Sequence, residues 1–256
     1  MMFFSLRKTF VSLVAVQTKT LFCAAICWTI TLTIFADNCR AQATDTLPAT
    51  DSDYRVVDIV PNHDDGWLYL LNENLDGWET FTGVPHRSVK VKGSLPSTSD
   101  DGRTGTPIGL ADPNGIFSIE MQDKQPVLHV TGEIYAGLST MDAYQNYHLA
   151  CETKWGEKKW PPRLDRKRDS GILMHCNGPH GKFWNVWLAC LECQVQETDC
   201  GDLFILGGPS AAVKLEPATL DQGFPQQSLT GQWTPIGNGQ KRSEARKLSL
   251  HERDGE

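Results

Sequence analysis

Three features are missing from the sequence, and each absence excludes a class of protein or site. The 256 residues carry a formal charge of −7 and contain no stripe of Lys or Arg, so binding to nucleic acid is not expected. No segment shows a sustained apolar period of 3.6 residues, which argues against a helical fold. Cys190 and Cys193 have no second C-x-x-C or H-x-x-H to complete a zinc site. No other ligand spacing argues for a metal, so no cofactor is predicted, and a divalent cation held by carboxylates and His175 stays open as an alternative.

The chain is instead rich in turns. It contains 22 Gly and 14 Pro, and short apolar runs alternate with turn pairs such as Asp65-Gly66 and Asn114-Gly115. Short strands separated by such turns are typical of β-sandwiches and barrels, so an all-β fold is predicted. The clearest predicted strands are Pro126–Thr131, Ile134–Ser139, Tyr147–Trp155, Ser170–Cys176 and Val186–Gln196.

The N-terminal segment has the pattern of a secretion signal. Basic residues precede the apolar stretch Leu21–Ala36, and the small-x-small sequence Ala41–Ala43 follows it. The stretch is short for a membrane span, which needs about 20 residues, and an uncleaved signal anchor is the alternative. We predict a signal peptide at 1–43, a linker at 44–59 and one domain at 60–256. The mature protein is then exported to the periplasm or the exterior, without stable membrane insertion.

The predicted strand Val186–Gln196 has two different faces. Five apolar side chains at every second position form one face, which is predicted to pack on a core. The other face becomes polar at Glu192 and Gln194, which lie side by side because they are two residues apart. On a concave sheet, this pair would face a ligand. On a flat outer sheet it would be an ordinary solvated surface, and both possibilities stay open at this point.

A second predicted strand carries a similar polar face. Tyr147–Trp155 alternates so that Glu152 and Lys154 lie on the same side. If this strand shares a sheet with Val186–Gln196, the polar side chains of both strands gather on one concave surface. His175, at the end of another predicted strand, is then expected near the rim of that surface.

Four short motifs stand in an order that resembles a known family. The family motifs are D-G-W, N-S-G-I, E-Y-Q-[IV]-x-D and G-D-[IL]-Y, and the family is the 3-keto-disaccharide hydrolase domain family. The predicted strand Tyr147–Trp155 also resembles a strand of that family, with Glu152 at the Glu position. The matching segments here are Leu75–Trp78, Asp169–Ile172, Leu191–Glu197 and Gly201–Phe204.

The resemblance implies a concanavalin-like jelly-roll β-sandwich. In the family, further strands usually follow the point at which this sequence stops, so a C-terminally incomplete sandwich is expected. Several positions depart from the pattern: Asp169 replaces Asn, Cys193 replaces Tyr, Glu197 replaces Asp, and His175 stands near a position that often holds Arg. These exchanges alter the reach and the charge of the site.

The activity that the resemblance implies is cleavage of glycosides that are oxidised at C3. A ketone at C3 acidifies the proton at C2, so a base can remove it and the resulting enolate expels the substituent at C1. Water then adds back. Such an enzyme needs a base near C2, an acid for the leaving oxygen, and an electrophile for the enolate oxygen.

The motifs assign candidate residues to these roles. Glu192 is predicted to be the base, and Lys154 or His175 is predicted to stabilise the enolate or protonate the leaving group. Tryptophan stacks on sugar rings, and seven of the eight tryptophans lie after the predicted signal peptide. The predicted carbohydrate-binding residues are Gln194, Glu152, Glu197, Asp169 and Trp184.

Two other functions compete with this one. A jelly roll rich in Trp is equally a scaffold for a carbohydrate-binding module without catalytic activity. An ordinary glycosidase would pair Glu192 with Glu152 or Glu197 at a separation that sets the stereochemistry. Glu197 lies on the opposite strand face from Glu192 unless a bulge intervenes, which weighs against that pair.

Overall fold

The computed structural model of the protein describes residues 2–4, 55–94, 96–216 and 230–237. All the regular secondary structure in these residues consists of β-strands, so the predicted all-β fold is confirmed. We find no apolar helix of membrane-spanning length in the described part of the chain. The strands are β1 (Met2–Phe4), β2 (Arg55–Val56), β3 (Trp78–Thr82), β4 (Phe117–Gln122), β5 (Gln125–Val130), β6 (Ala136–Thr140), β7 (Asp142–Ala143), β8 (Lys154–Trp155), β9 (Gly171–Asn177), β10 (Ala189–Gln194), β11 (Leu203–Leu206), β12 (Ser210–Leu215) and β13 (Gln232–Gly237).

These strands form mainly antiparallel sheets. The largest has four strands in the order β4-β5-β1-β8, and a three-stranded sheet has the order β11-β10-β9. The other described strands form the pairs β12-β13, β2-β7 and β3-β6. Among the strand pairs that the structure describes, only β2 and β7 run parallel to each other. We call β11-β10-β9 the central sheet, because the candidate site lies on it.

One face of the central sheet packs on the β12-β13 hairpin. Ile205 of β11 forms a buried apolar cluster with Leu215 of β12 and Ile236 of β13, and Leu191 of β10 packs against it. Neighbouring residues on a strand point to opposite faces, so Glu192 lies on the side away from this core. The apolar face predicted for this strand is therefore confirmed at Leu191, and it determines where Glu192 points.

A second apolar core contributes side chains to the space in front of the central sheet. Ile134 packs there with Val89 and Ile116, and side chains from β4, β5 and β6 cover this cluster. The next residue, Tyr135, also lines the space in front of the central sheet. The two cores thus hold Tyr135 and Glu192 on the walls of one cavity.

The strand predicted at Tyr147–Trp155 is wrong in its extent. Only Lys154–Trp155 is a strand, and its partner is β1 in the four-stranded sheet. Residues 147–153 alternate in polarity, but they form no ladder with another described strand, and Asn146 before them has a φ of 53°. Alternation predicts a strand only where a neighbour supplies hydrogen bonds, and here none does over most of the segment.

The predictions for the N-terminus fall mostly outside the described residues. Strand β1 lies between β5 and β8, and Arg55–Val56, at the end of the predicted linker, pair with β7. Residues 5–54, which include the predicted signal sequence and cleavage site, are not described. The boundaries at 43 and 59 therefore stay predictions.

Candidate active site

A cavity of about 810 Å³ lies in front of the polar face of the central sheet. Its volume is in the range of pockets that enclose a drug-sized ligand. Strand β10 contributes Glu192 and Gln194 to its wall, and the turns between strands contribute Arg163 and Asp169. The polar face of β10 is therefore the inner wall of a cavity, and the alternative of a solvated outer face is wrong.

Glu192 is the most strongly perturbed carboxyl group in this cavity. Burial, and to a smaller extent the negative charge of Asp169, raise its pKa from 4.5 to about 7. The carboxylate has no hydrogen bond or ion pair to any described residue, yet its oxygens are not enclosed. A half-ionised carboxyl group that opens onto a cavity is suited to accept and return a proton at neutral pH.

The Glu192 side chain lies across Gly171 on the neighbouring strand β9. A Cβ atom at position 171 would lie 2.6 Å from both Cγ and Cδ of Glu192 and still closer to Oε1. Real Cβ atoms do not approach other atoms so closely, so Glu192 would have to move. Gly171 is therefore required for space rather than for backbone conformation, because it does not have a positive φ.

Replacing this glycine tests the position of the carboxyl group. We expect Gly171→Ala to lower turnover about 10²-fold, since a displacement of about 1 Å at a catalytic group has that effect. The melting temperature should change little, because the flexible end of Glu192 can move aside. Gly137→Ala in β6 is the control: its Cβ would contact Trp187 at an ordinary 3.4 Å. Wild-type turnover in Gly171→Ala would show that the carboxyl position does not matter.

Asp169 is held in an ion pair. Its Oδ2 lies 2.9 Å from Nη2 of Arg163, and the two side chains are only 25% and 20% exposed, respectively. Arg163 also donates to the Lys167 carbonyl at 3.1 Å, and its own amide donates to the Trp160 carbonyl at 2.8 Å, which fixes the turn that carries it. Arg163 is therefore the cation paired with Asp169 in the site, and the sequence analysis did not select it.

Tyr135 completes this group of polar side chains. Its hydroxyl group lies close enough to Arg163 for that cation to offset part of the effect that burial has on the pKa of the phenol, and its ring packs against Trp184 and Trp187 with centroid distances of 6.3 and 5.9 Å. Burial is the main cause that raises the pKa of this phenol, so that it stays protonated and can donate a hydrogen bond. The negative charge of Asp169 acts on both Tyr135 and Glu192, which places the three groups in one neighbourhood.

A sequence model of the 3-keto-alpha-glucoside-1,2-lyase-like domain matches residues 66–244, well over half of the chain. The chain belongs to this family. Comparisons with curated proteins and with solved structures gave no significant match. The family suggests a carbohydrate-active role of the hydrolase or lyase type, and the resemblance inferred from the four motifs is confirmed.

The 3-keto-alpha-glucoside-1,2-lyase-like domain brings only some of the predicted site residues together. Glu192, Gln194 and Asp169 line the cavity with His175 and Glu152, which are both exposed. Lys154 is exposed on β8, in a different sheet from Glu192, and does not line the cavity. The concave surface expected to join the two polar strand faces is therefore wrong for Lys154.

Two of the predicted binding residues serve mainly to brace the site. Gln194 is 5% exposed, and its Oε1 accepts hydrogen bonds from the amides of Val195 and Gln196 at 3.0 and 3.1 Å. Glu197 lies outside the cavity and accepts from Arg168 at 2.5 Å, which is the main reason that its pKa falls to about 2. Because Glu197 is ionised at neutral pH, it holds Arg168, the residue that precedes Asp169, in place.

The other aromatic and imidazole candidates differ in how accessible they are. Trp184 is 39% exposed, but Arg103 lies 4.2 Å above its ring and Phe183 stacks on it at 5.3 Å. A sugar that stacks on this ring would therefore have to displace one of these groups. His175 has a φ of 53° at the point where β9 slips register against β10, and its ring lies 5.8 Å from that of Tyr147. It occupies the rim, as expected.

In the described part of the chain, no group of three His, Cys, Asp or Glu side chains is arranged to hold a metal ion. The candidate site is built from one perturbed carboxyl group, one ion pair and one half-buried phenol. Sequence reasoning missed Arg163 and Tyr135 because neither lies in a motif, and each enters the site from a connection between strands.

Proposed function

We propose that the protein cleaves 3-keto-glycosides by elimination across C1 and C2, followed by addition of water. The observation that carries this proposal is the pKa of Glu192, about 7, on the wall of a cavity that could hold a sugar. Abstraction of a carbon-bound proton needs a base that is free of competing hydrogen bonds. Glu192 has no such bond to a described residue, and the family suggests a substrate of this class.

The steps can be written with these residues. Glu192 takes the proton from C2, and the C–H electrons form an enolate with oxygen at C3. The enolate collapses to restore the ketone, a double bond forms between C1 and C2, and the C1–oxygen bond breaks. The leaving oxygen takes up a proton and departs as an alcohol. Water then adds its hydroxyl group to C1 while Glu192 returns a proton to C2.

Tyr135 and Arg163 supply the electrophile in this proposal. The phenol remains a hydrogen-bond donor because burial raises its pKa, and Arg163 adds a positive charge behind it. Negative charge develops on the C3 oxygen in the enolate, and donors fixed in advance stabilise such charge most effectively. These two groups take the role that the sequence analysis gave to Lys154.

The alternatives have less support from the site. An ordinary glycosidase needs a second carboxyl group held beside Glu192, but Asp169 is paired with Arg163 and Glu197 with Arg168. Glu152 lines the cavity but is exposed, and no ion pair or hydrogen bond to a described residue holds it in place. A binding module would use an open aromatic platform, and the ring of Trp184 already contacts Arg103 and Phe183. Both arrangements fit those functions less well than Glu192 fits the role of a base.

Product analysis in D₂O tests the proposal with the full chain. We expect 3-keto-glucosides to be cleaved, with deuterium incorporated at C2, while their unoxidised parent glucosides are left intact. An ordinary glycosidase would cleave the parents and leave C2 unlabelled, and a binding module would bind the sugars without any turnover. Either of these results would overturn the proposal.

We also propose that the protein is exported, on the basis of the Leu21–Ala36 stretch and the Ala41–Ala43 site. The mature N-terminus is then expected near Thr44. Cleavage would remove β1, which pairs with both β5 and β8, so those two strands would lose this partner in the mature protein. N-terminal sequencing of the protein from an exported fraction measures this. Recovery of an intact Met1 would instead favour a signal anchor.

A further inference from the structure

A second acid–base pair contributes its histidine to the wall of the same cavity. His180, in the turn after β9, places Nε2 2.8 Å from Oε1 of Glu79 on β3. The two side chains are 13% and 29% exposed, so most of this pair is removed from water. His180 lines the cavity that also contains Glu192.

The imidazole of His180 is held rigidly. Its ring stacks on Phe81 with a centroid distance of 4.8 Å and an interplanar angle of 2°. Phe81 and Glu79 are two residues apart on β3 and therefore lie on the same face of that strand. One strand thus supplies both the platform under the ring and the carboxylate at its edge, which together fix the orientation of the ring.

The other ring nitrogen of His180 remains available. Nδ1 makes no hydrogen bond to any described residue, and it is not enclosed by them. Because the Glu79 carboxylate accepts a hydrogen bond, Nε2 carries a proton, and Nδ1 carries either a lone pair or the second proton. A carboxylate in this position fixes the tautomer and the orientation of the ring.

We propose that His180, positioned by Glu79, is the general acid that protonates the leaving oxygen. This inference rests on the proposed elimination. As the C1–oxygen bond breaks, the proton on Nδ1 passes to the leaving oxygen and neutral imidazole remains. When water adds to C1, Nδ1 takes the proton from that water, and Glu192 returns its proton to C2. Each residue is thereby restored.

This assignment differs from the one made on sequence. His175 was selected there, but it is exposed and has no carboxylate partner among the described residues. His63 does lie 3.7 Å from Asp65, but both side chains are exposed and His63 lies outside the cavity. Of these three histidines, only His180 has a carboxylate partner, burial and access to the cavity.

Leaving groups of different acidity test the proposal. A phenol of low pKa departs without a proton, whereas an alkyl alcohol or a sugar needs one. In the full-length protein, His180→Gln keeps an amide that can donate to Glu79 but cannot titrate. We expect it to lower kcat/KM for an alkyl 3-keto-glucoside about 10²–10⁴-fold. The loss for a nitrophenyl 3-keto-glucoside should be smaller by at least about tenfold, because that leaving group needs little proton transfer.

A second variant tests the role of Glu79. Glu79→Gln removes the carboxylate that orients the His180 ring, so kcat/KM for the alkyl substrate should fall by a larger factor than kcat/KM for the nitrophenyl substrate. His63→Gln is the matched control, and its kinetics should equal those of the wild type. This second variant also keeps the proposal testable if His180→Gln does not fold.

The outcomes separate this inference from the proposed function. Equal losses for both substrates in His180→Gln or in Glu79→Gln would show a purely structural pair and overturn the inference alone. Wild-type protein that leaves both 3-keto-glucosides intact would overturn the proposed function, and this inference with it.

Discussion

Glu192→Gln should lower turnover of a 3-keto-glycoside about 10²–10⁴-fold, the usual contribution of one general base. The change keeps the size of the side chain and removes only its ability to accept the C2 proton. Loss of deuterium exchange at C2 in D₂O, measured by NMR, would locate the defect in proton abstraction. Glu157→Gln is the control, because Glu157 is exposed and lies outside the cavity. Full activity in Glu192→Gln would remove this residue from the mechanism and direct attention to Glu152.

The same variant should be more stable than the wild type at alkaline pH. Glu192 has a pKa of about 7 in the folded protein and about 4.5 when unfolded, so the unfolded chain releases the proton first as pH rises. Stability therefore falls between about pH 4.5 and 7 and does not return above it. Gln carries no proton to lose, so the variant should gain up to about 3 kcal/mol at pH 8 and nothing at pH 4.

Urea unfolding at pH 4 and pH 8 measures this difference. A Glu that only braced the sheet would lose stability on substitution at both pH values while keeping its rate per folded molecule. Loss of rate combined with a gain of stability at pH 8 is the signature of a buried, unpaired catalytic carboxyl group.

The elements that sequence reasoning found are those with a local pattern. Strand β10 was predicted because apolar side chains recur at every second position, and the core against β12 and β13 confirms this at Leu191. Glu192 and Gly171 were found through the family motifs. The structure gives the physical reason for the glycine, since the Glu192 side chain occupies the space of its missing Cβ.

The parts that were missed depend on contacts between distant segments. Arg163 is held by the turn that follows Trp160, and Tyr135 reaches it from the residue before β6. His180 and Glu79 are 101 positions apart in the chain. No periodicity or motif marks such a pair, because its members become neighbours only after the strands have packed. The alternating polarity of residues 147–155 predicted a long strand, but only Lys154–Trp155 pairs with a neighbour. Alternation is a local pattern, whereas the pairing partner of a strand comes from a distant part of the chain.

The second large effect is expected at Arg163. In Arg163→Met the charge of Asp169 is no longer neutralised, so it should raise the pKa of Glu192 above about 7. The acid limb of the kcat/KM profile, which reports the base in the free enzyme, should then move to higher pH. Asp169→Asn removes the negative charge and should move the same limb to lower pH. Opposite shifts from the two halves of one ion pair would identify Glu192 as the titrating group.

Stability and coupling complete this test. Breaking the pair should cost more than the ~1 kcal/mol of an exposed ion pair and at most the ~3–5 kcal/mol of a fully buried one. The double variant Arg163→Met/Asp169→Asn should have nearly the same pH profile as Asp169→Asn alone, because Arg163 acts on Glu192 through Asp169. The effects of the two single substitutions on the pKa of Glu192 should therefore not add. Arg166→Met is the control, because it removes the same charge from the same turn at an exposed position outside the cavity. If Arg163→Met and Arg166→Met shift the profile equally, net charge rather than the ion pair controls the pKa of Glu192.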